Sequence, residues 1–304
     1  MNRFPPRRIL VPTDSCEPSL SALAAAKTLA NRCGSRLELV YVQDIPQSLS
    51  GFDLDGSGLG TPSLARQMAE FGRWREECLK RRAAPFPSSR LRVRTVRGWP
   101  PGTLARLAQP EQTDLVVMGT HGYTGFGRAV FGSVAESVLR QAGVPVLAVH
   151  RLKKPLRLRK ILIPCDMAAY AEPALRYGLA MARGLSAQAW VLYAAPKGAD
   201  PEDFRLVLER RIRAAGGDRA AARRVILASG DPRRVILDEA KRGRFDLIVL
   251  SAHRKPFLRQ QVLGSTAERI LRYSPVPLLC VPSGPPQPAV KRKTLLEVVS
   301  GKIF

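Results

Sequence analysis

Histidine and cysteine are scarce in this chain of 304 residues, which has three of the first and five of the second. Cys16, Cys33, Cys78, Cys165 and Cys280 are scattered, odd in number and free of any CxxC pair. That pattern excludes a zinc or disulfide framework read from spacing and fits a reducing compartment. His121, His150 and His253 have no metal-ligand spacing, and no Ser-His-Asp or Cys-His arrangement emerges. No apolar run reaches membrane-spanning length. The first eight residues, MNRFPPRR, run straight into a strand-like segment, which predicts no secretory leader and a cytoplasmic protein. Aromatic residues are only 6% of the chain. Trp74, Trp99 and Trp190 lack the interleaving with basic residues expected of an RNA-reading surface.

Acidic residues are also few, 25 against 49 basic ones, for a net charge of +24. The excess is uneven. Residues 1–150 carry 19 basic and 12 acidic side chains, a net +7, and the remainder carries 30 and 13, a net +17. Such a field attracts polyanions such as nucleic acid, anionic lipid or acidic protein. The other reading is a set of solvated, arginine-rich faces. A hydrophobic fraction of 45% is enough for real cores, and the length suits two domains.

The chain repeats itself. Residues 8–14, RILVPTD, return as KILIPCD at 160–166, and LVYV at 39–42 returns as VLYA at 191–194, both 152 residues on. Later matches are 132 apart: Gly98 with Gly230, DLVVM at 114–118 with DLIVL at 246–250, Gly132-Ser133 with Gly264-Ser265. The first copy therefore holds 20 extra residues between Val42 and Gly98. The Gly-, Ser- and Asp-rich stretch 44–63 reads as the insertion, either a lid or a plain surface loop. Short apolar runs alternate with helical patterns in each copy, which predicts an α/β fold with helices on both faces of a parallel sheet. Strands are expected near 8–13, 36–42, 91–97, 114–119 and 145–149, then 159–164, 188–194, 223–228, 246–251 and 276–281. Helices are expected in the first copy near 17–32, 64–83, 101–109 and 132–141. The resulting domains are 1–150 and 151–282, followed by a basic tail, 283–304, expected to be loosely held.

The most informative stretch is Gly119-Thr-His-Gly122, nine further residues, then Gly132-Ser133. A strand, a glycine-rich loop and a helix amino terminus in that order hold phosphate, because glycines let backbone N–H groups approach and the helix end adds partial positive charge. Asp14 and Val42 end the first two strands on the same sheet edge, where ligands of open parallel sheets bind. Asp14 either accepts hydrogen bonds from a base or ribose or caps the following helix. Ser133 is either a phosphate contact or a helix cap. Cys165 reads as a buried small residue.

With these residues the chain resembles a tandem universal stress protein of the UspA type. Its Gly-x2-Gly-x9-Gly-Ser/Thr signature is met by Gly119, Gly122, Gly132 and Ser133. The resemblance spans residues 7–150 and 158–282. It implies two tandem doubly wound five-stranded parallel-sheet domains, strand order 3-2-1-4-5, packed as an internal pseudo-dimer through their last strands, with a further homo-oligomer left open. It also implies ATP bound between strands one and four, with Asp14 and Val42 at the adenosine end. Gly119, Gly122, Gly132 and Ser133 would meet ribose and phosphates, commonly with Mg²⁺ or Mn²⁺. The usual role is stress-linked regulation with weak or no turnover. Copy two departs from the pattern: Ser251 and Arg254 replace the first two glycines and Ala194 stands for Val42, although Gly264 and Ser265 remain. The expectation is one competent nucleotide site, in residues 1–150, with the second half a partner bearing the positive surface. The alternative is a nucleic-acid or anionic-surface scaffold in which the nucleotide site is modulatory or vestigial.

Overall fold

The computed structural model describes residues 3–44, 62–120, 132–152, 154–252 and 264–283. The first half runs β1 (Arg8–Pro12), α1 (Glu17–Cys33), β2 (Arg36–Gln43), α2 (Pro62–Ala83), β3 (Leu91–Arg97), α3 (Pro100–Leu107), β4 (Leu115–Gly119), α4 (Ser133–Gln141) and β5 (Val146–Val149). The second runs β6 (Lys160–Pro164), α5 (Glu172–Gly184), β7 (Gln188–Ala195), α6 (Arg205–Ala214), α7 (Arg219–Arg223), β8 (Val225–Ser229), α8 (Pro232–Arg242), β9 (Leu247–Ala252), α9 (Ser265–Tyr273) and β10 (Leu278–Pro282).

The inner strands are continuous apolar runs because helices cover both faces of the sheet. In β1, Ile9 and Val11 enter one core, where α1 packs, while Leu10 between them enters the other, with α3 and α4. The same alternation divides Leu115 and Val117 from Val116 and Met118 in β4. Helix α1 starts with Pro18 near its amino end and stops at Gly34, whose φ of 69° suits the left-handed position that closes a helix.

The ten strands of the described residues form one sheet in the order β3-β2-β1-β4-β5-β10-β9-β6-β7-β8. Neighbours within each half are parallel, and the halves join through β5 and β10, which pair antiparallel with Leu147 opposite Leu279. Further contacts lock the halves together. The Phe4 ring meets Tyr177 edge-on at 5.9 Å, the Arg32 guanidinium donates to the Leu185 carbonyl, and the Leu152 N–H donates to Ser21 Oγ at 3.1 Å.

One device recurs in both halves. Asp114, just before β4, accepts the N–H groups of Arg7 and Arg8 at 3.0 and 2.7 Å. Asp246, just before β9, accepts those of Arg159 and Lys160 at 2.8 and 2.9 Å. Each carboxylate ties the start of its half's first strand to its fourth.

The expected strands match the observed ones to within about two residues at each end. The extra length of the first copy is divided differently from expectation. Eighteen residues separate β2 from α2, whereas five separate β7 from the 3₁₀ turn at Pro201–Phe204. The connection thus holds 13 of the 20 extra residues. Of the other seven, five lengthen the segment before β3, where α2 is one helix of 22 residues and its counterpart is broken into α6 and α7, and two lengthen β3 itself, which has seven residues against five in β8. Residues 45–61 of the expected insertion, and 284–304 of the tail, lie outside the described residues.

Candidate functional site

Strands β1, β2 and β4 end on one edge of the sheet, and a cleft of about 310 Å³ opens there. Its walls are Thr13 and Asp14 beyond β1, Val40 to Val42 of β2, Pro100 and Leu104 of α3, Met118 to Thr120 at the end of β4, and Gly132 to Ala135 at the start of α4. Asp14, Val42, Gly119, Gly132 and Ser133 therefore come together, though they are spread over 120 residues of sequence. Gly122, like His121, Gly125 and Gly127, lies outside the described residues.

The local chemistry explains each position. Asp14 Oδ1 accepts the Cys16 N–H at 3.0 Å, so it shapes the turn before α1, while Cys16 itself is the capping residue and makes no side-chain cap bond. Ser15 next to it has φ of 67°. Hydroxyls hold that strained turn: Thr13 Oγ1 accepts the Ser15 N–H at 3.1 Å and donates to Ser19 Oγ at 3.2 Å, and Ser19 Oγ donates to the Cys16 carbonyl at 2.8 Å. Arg75 of α2 donates to Ser15 Oγ at 3.3 Å and lies 4.6 Å over the Tyr41 ring, at the cleft wall. The Cys16 thiol is pushed up by burial and then by its hydrogen bond with Asp14, which keeps it protonated.

Gly119 has a packing reason to be glycine. A β-carbon there would stand 2.8 Å from the Pro18 carbonyl carbon and 2.9 Å from its oxygen, at the amino end of α1. Beyond it, the Gly132 N–H donates to the Thr120 carbonyl at 2.8 Å, which holds the end of β4 to the start of α4. Thr120 is fully buried and its hydroxyl lies 2.8 Å from His150 Nδ1, a pair that no motif marked. The cap of α4 is Gly132, with no side-chain cap bond, so Ser133 is the first helical residue and does not take the capping role. The first turn of α4 thus presents its amino end to the cleft.

The second half has a corresponding cleft of about 430 Å³, lined among others by Asp166, Tyr170, Ala194, Ser251, Gly264 and Ser265. Here the strand-end aspartate is engaged from within the chain. Asp166 Oδ1 accepts the Ala168 N–H at 3.0 Å and Oδ2 accepts the Tyr170 hydroxyl. Ser251 donates its hydroxyl to the Tyr170 carbonyl at 2.6 Å. That hydrogen bond to Asp166, with burial second, pushes the Tyr170 phenol up to about 12. Cys165 is buried as expected and burial pushes its thiol up to about 12. Arg211 of α6 replaces the hydroxyl network of the first turn, donating to the Met167 and Ala168 carbonyls at 2.6 and 3.0 Å. His253 and Arg254 lie outside the described residues. Among the described residues no group of three or more His, Cys, Asp or Glu side chains could hold a metal ion, and no helix is long and apolar enough to cross a membrane.

Comparisons with known proteins agree with this architecture. The Universal stress protein family model matches residues 5–150 and again 157–282. Universal stress protein MJ0531 of Methanocaldococcus jannaschii is 30% identical over 148 residues, 49% of this chain and 84% of that protein. Universal stress protein Slr1230 of Synechocystis is similar across both halves, 22% identical over 292 residues that cover 90% of this chain and 99% of that one. Among solved structures, a universal stress protein from Archaeoglobus fulgidus shares the fold, with a TM-score of 0.72 at 21% identity over 92% of this chain and 100% of that chain. One family description thus fits each half in turn, and this chain belongs to the universal stress protein family as a tandem of two UspA-type domains.

Proposed function

We propose that this protein is an ATP-binding regulatory protein of the stress response with one competent nucleotide site, the cleft of the first half. The observation that carries the reading is the convergence of Asp14, Val42, Gly119, Gly132 and Ser133 on one cleft whose far wall is the amino end of α4. The residues fit the ligand's chemistry. Asp14 offers a carboxylate to a ribose or base donor, and Val40 and Val42 offer an apolar wall to the base. Gly132 and Ser133 offer backbone N–H groups and a hydroxyl to phosphate oxygens, beside the positive end of the helix dipole. Gly122 belongs to the same proposed set by its spacing. The cleft volume lies in the range of small-molecule pockets, roughly 300–1,000 Å³. A Mg²⁺ or Mn²⁺ ion would arrive with the phosphates, since the described residues hold no acidic cluster of their own. Residues 1–150 form the competent domain, 151–282 the partner domain, and 283–304 a basic tail. The role is binding, with a changed surface offered to a partner in the cytoplasm.

Equilibrium dialysis of the whole chain with labelled ATP and Mg²⁺ tests this. The expected result is one site per chain, weakened about tenfold or more by Asp14→Ala, in line with a lost charge-assisted hydrogen bond, and abolished by Gly132→Val. Asp166→Ala should leave that site unchanged. Two equal sites would overturn the assignment to one half, and none would overturn the reading itself. The net charge of +24 supports a second reading, polyanion binding by the basic second half. Nucleic-acid binding that falls steeply with salt and ignores ATP would favour it.

A further inference from the structure

Among the described residues the second cleft is the larger, so the room they leave does not explain why only one would take nucleotide. The difference lies in which groups satisfy the strand-end aspartate. The repeat register sets Tyr170 against Pro18, 152 residues apart, and Ser251 against Gly119, 132 apart. The packing follows that register: the atoms a β-carbon on Gly119 would strike belong to Pro18, and the group that Ser251 bonds belongs to Tyr170.

We infer that Tyr170 and Ser251 together form a built-in block that keeps nucleotide out of the second cleft, the Tyr170 hydroxyl taking the Asp166 oxygen that a ligand would need. This rests on the nucleotide reading of the first cleft. The two changes depend on each other. A side chain at 251 needs the room that the Pro18 backbone fills in the first half, so the chain entering α5 has to lie differently. It does. Residues Ala169–Ala171 form a 3₁₀ turn and α5 begins at Glu172, whereas α1 is already helical at Glu17, the counterpart of Ala169. Ser251 then fastens the displaced turn through the Tyr170 carbonyl at 2.6 Å. From that turn the phenol reaches back to Asp166 Oδ2, while Oδ1 keeps the Ala168 N–H at 3.0 Å. Both carboxylate oxygens are thereby engaged by the chain. In the first half, proline at position 18 has no hydroxyl to offer Asp14. A ligand donor approaching Asp166 would have to break a charge-assisted hydrogen bond between groups already held together, and gain no more than it displaced.

The test counts labelled ATP per chain, with Mg²⁺, in the full-length parent and in Tyr170→Phe, Ser251→Gly and the double variant. The expected result is a gain of one site over the parent in the double variant and weaker second-site binding in Tyr170→Phe alone. No gain in a double variant that melts like the parent overturns the block. If the double variant melts far below the parent, Tyr170→Phe, which keeps the ring, decides in its place. The gain is counted relative to the parent, so a parent without any site sinks the nucleotide reading of the first cleft and leaves this comparison readable. The reciprocal pair, Pro18→Tyr with Gly119→Ser, should cost the first cleft its site at least tenfold in affinity; unchanged binding there would equally overturn the inference.

Discussion

Asp14 and Asp166 stand at the same step beyond the first strand of their halves, and each gives one oxygen to the N–H two residues on. From there the halves diverge. Around Asp14 the turn is knitted by two small hydroxyls, those of Thr13 and Ser19, and the neighbouring strand ends in a glycine against which α1 packs closely. Around Asp166 those hydroxyls give way to Cys165 and Ala171, an arginine from α6 holds the turn by its carbonyls, and a tyrosine satisfies the carboxylate. Two copies of one scaffold can therefore keep their strands, registers and clefts and still part company in the polar contacts at the cleft. The scaffold is fixed by apolar faces, whereas the polar lining of each cleft is set by a few contacts at strand ends.

Putting the same side chain at the two matched positions should separate the halves most strongly. Gly119→Val sets a β-carbon 2.8 Å from Pro18 backbone, where nothing flexible can yield. Overpacking of that kind costs about 1–3 kcal/mol, and the shift of α1 should also remove ATP binding. Ser251→Val meets a site already opened for a side chain and loses chiefly one hydrogen bond, about 1 kcal/mol. Paired thermal or urea unfolding curves check the ordering. Equal losses at the two positions would mean that the second half has not rearranged to admit its serine.

Where the halves are alike, matched substitutions should cost both the same. Asp114→Ala and Asp246→Ala each strip two backbone N–H groups of their acceptor at the start of a strand. Water reaches both sites in part, so the expected loss is about 1–2 kcal/mol for each. The two values should agree, and the same unfolding curves read them. A large loss in one half with none in the other would show that the shared aspartate does different work in the two copies.

What could be read from sequence follows the same division. The strands and first-copy helices were legible because they are repeated apolar patterns with a face to bury, and two copies of each pattern reinforce one another. The shared cleft was legible too, since Asp14, Val42, Gly119 and Gly132 lie at strand ends or at a helix start, and topology brings those ends to one edge. The partners of the polar groups were not. In sequence Ser251 is legible only as a departure from the glycine at 119; that its hydroxyl donates to the Tyr170 carbonyl is not. Tyr170 belongs to no motif and signals itself only when the repeat is aligned and it is seen to replace Pro18. Thr120 and His150, 2.8 Å apart, stand one residue beyond β4 and β5 respectively, whose register pairs Gly119 with Val149. Pairings of that kind depend on strand register and on where a turn meets a strand end, which no local pattern encodes.

The bond between Tyr170 and Asp166 should make only a small contribution to stability, but its state can be read directly. Ionising Tyr170 would remove the proton that bridges it to Asp166 and leave two negative groups facing each other. The phenol is accordingly pushed up to about 12, against roughly 10 for an ordinary tyrosine. A group raised in the folded state adds stability that is complete below its unfolded value and fades as pH climbs through the folded one. Any contribution of this bond should therefore be intact up to about pH 10 and be lost toward about pH 12. Because the residue is 37% exposed, solvent screening keeps that contribution small. Chain labelled with ¹³C at tyrosine Cζ, with the Tyr170 signal assigned by its loss in Tyr170→Phe, reads the ionisation directly. At about pH 11 the Tyr170 signal should still report a protonated phenol, and Asp166→Asn should return its midpoint toward about 10. A midpoint near the ordinary value in both proteins would mean that the hydroxyl does not rest on the carboxylate, and Tyr170 would then have no part in setting the second cleft apart from the first.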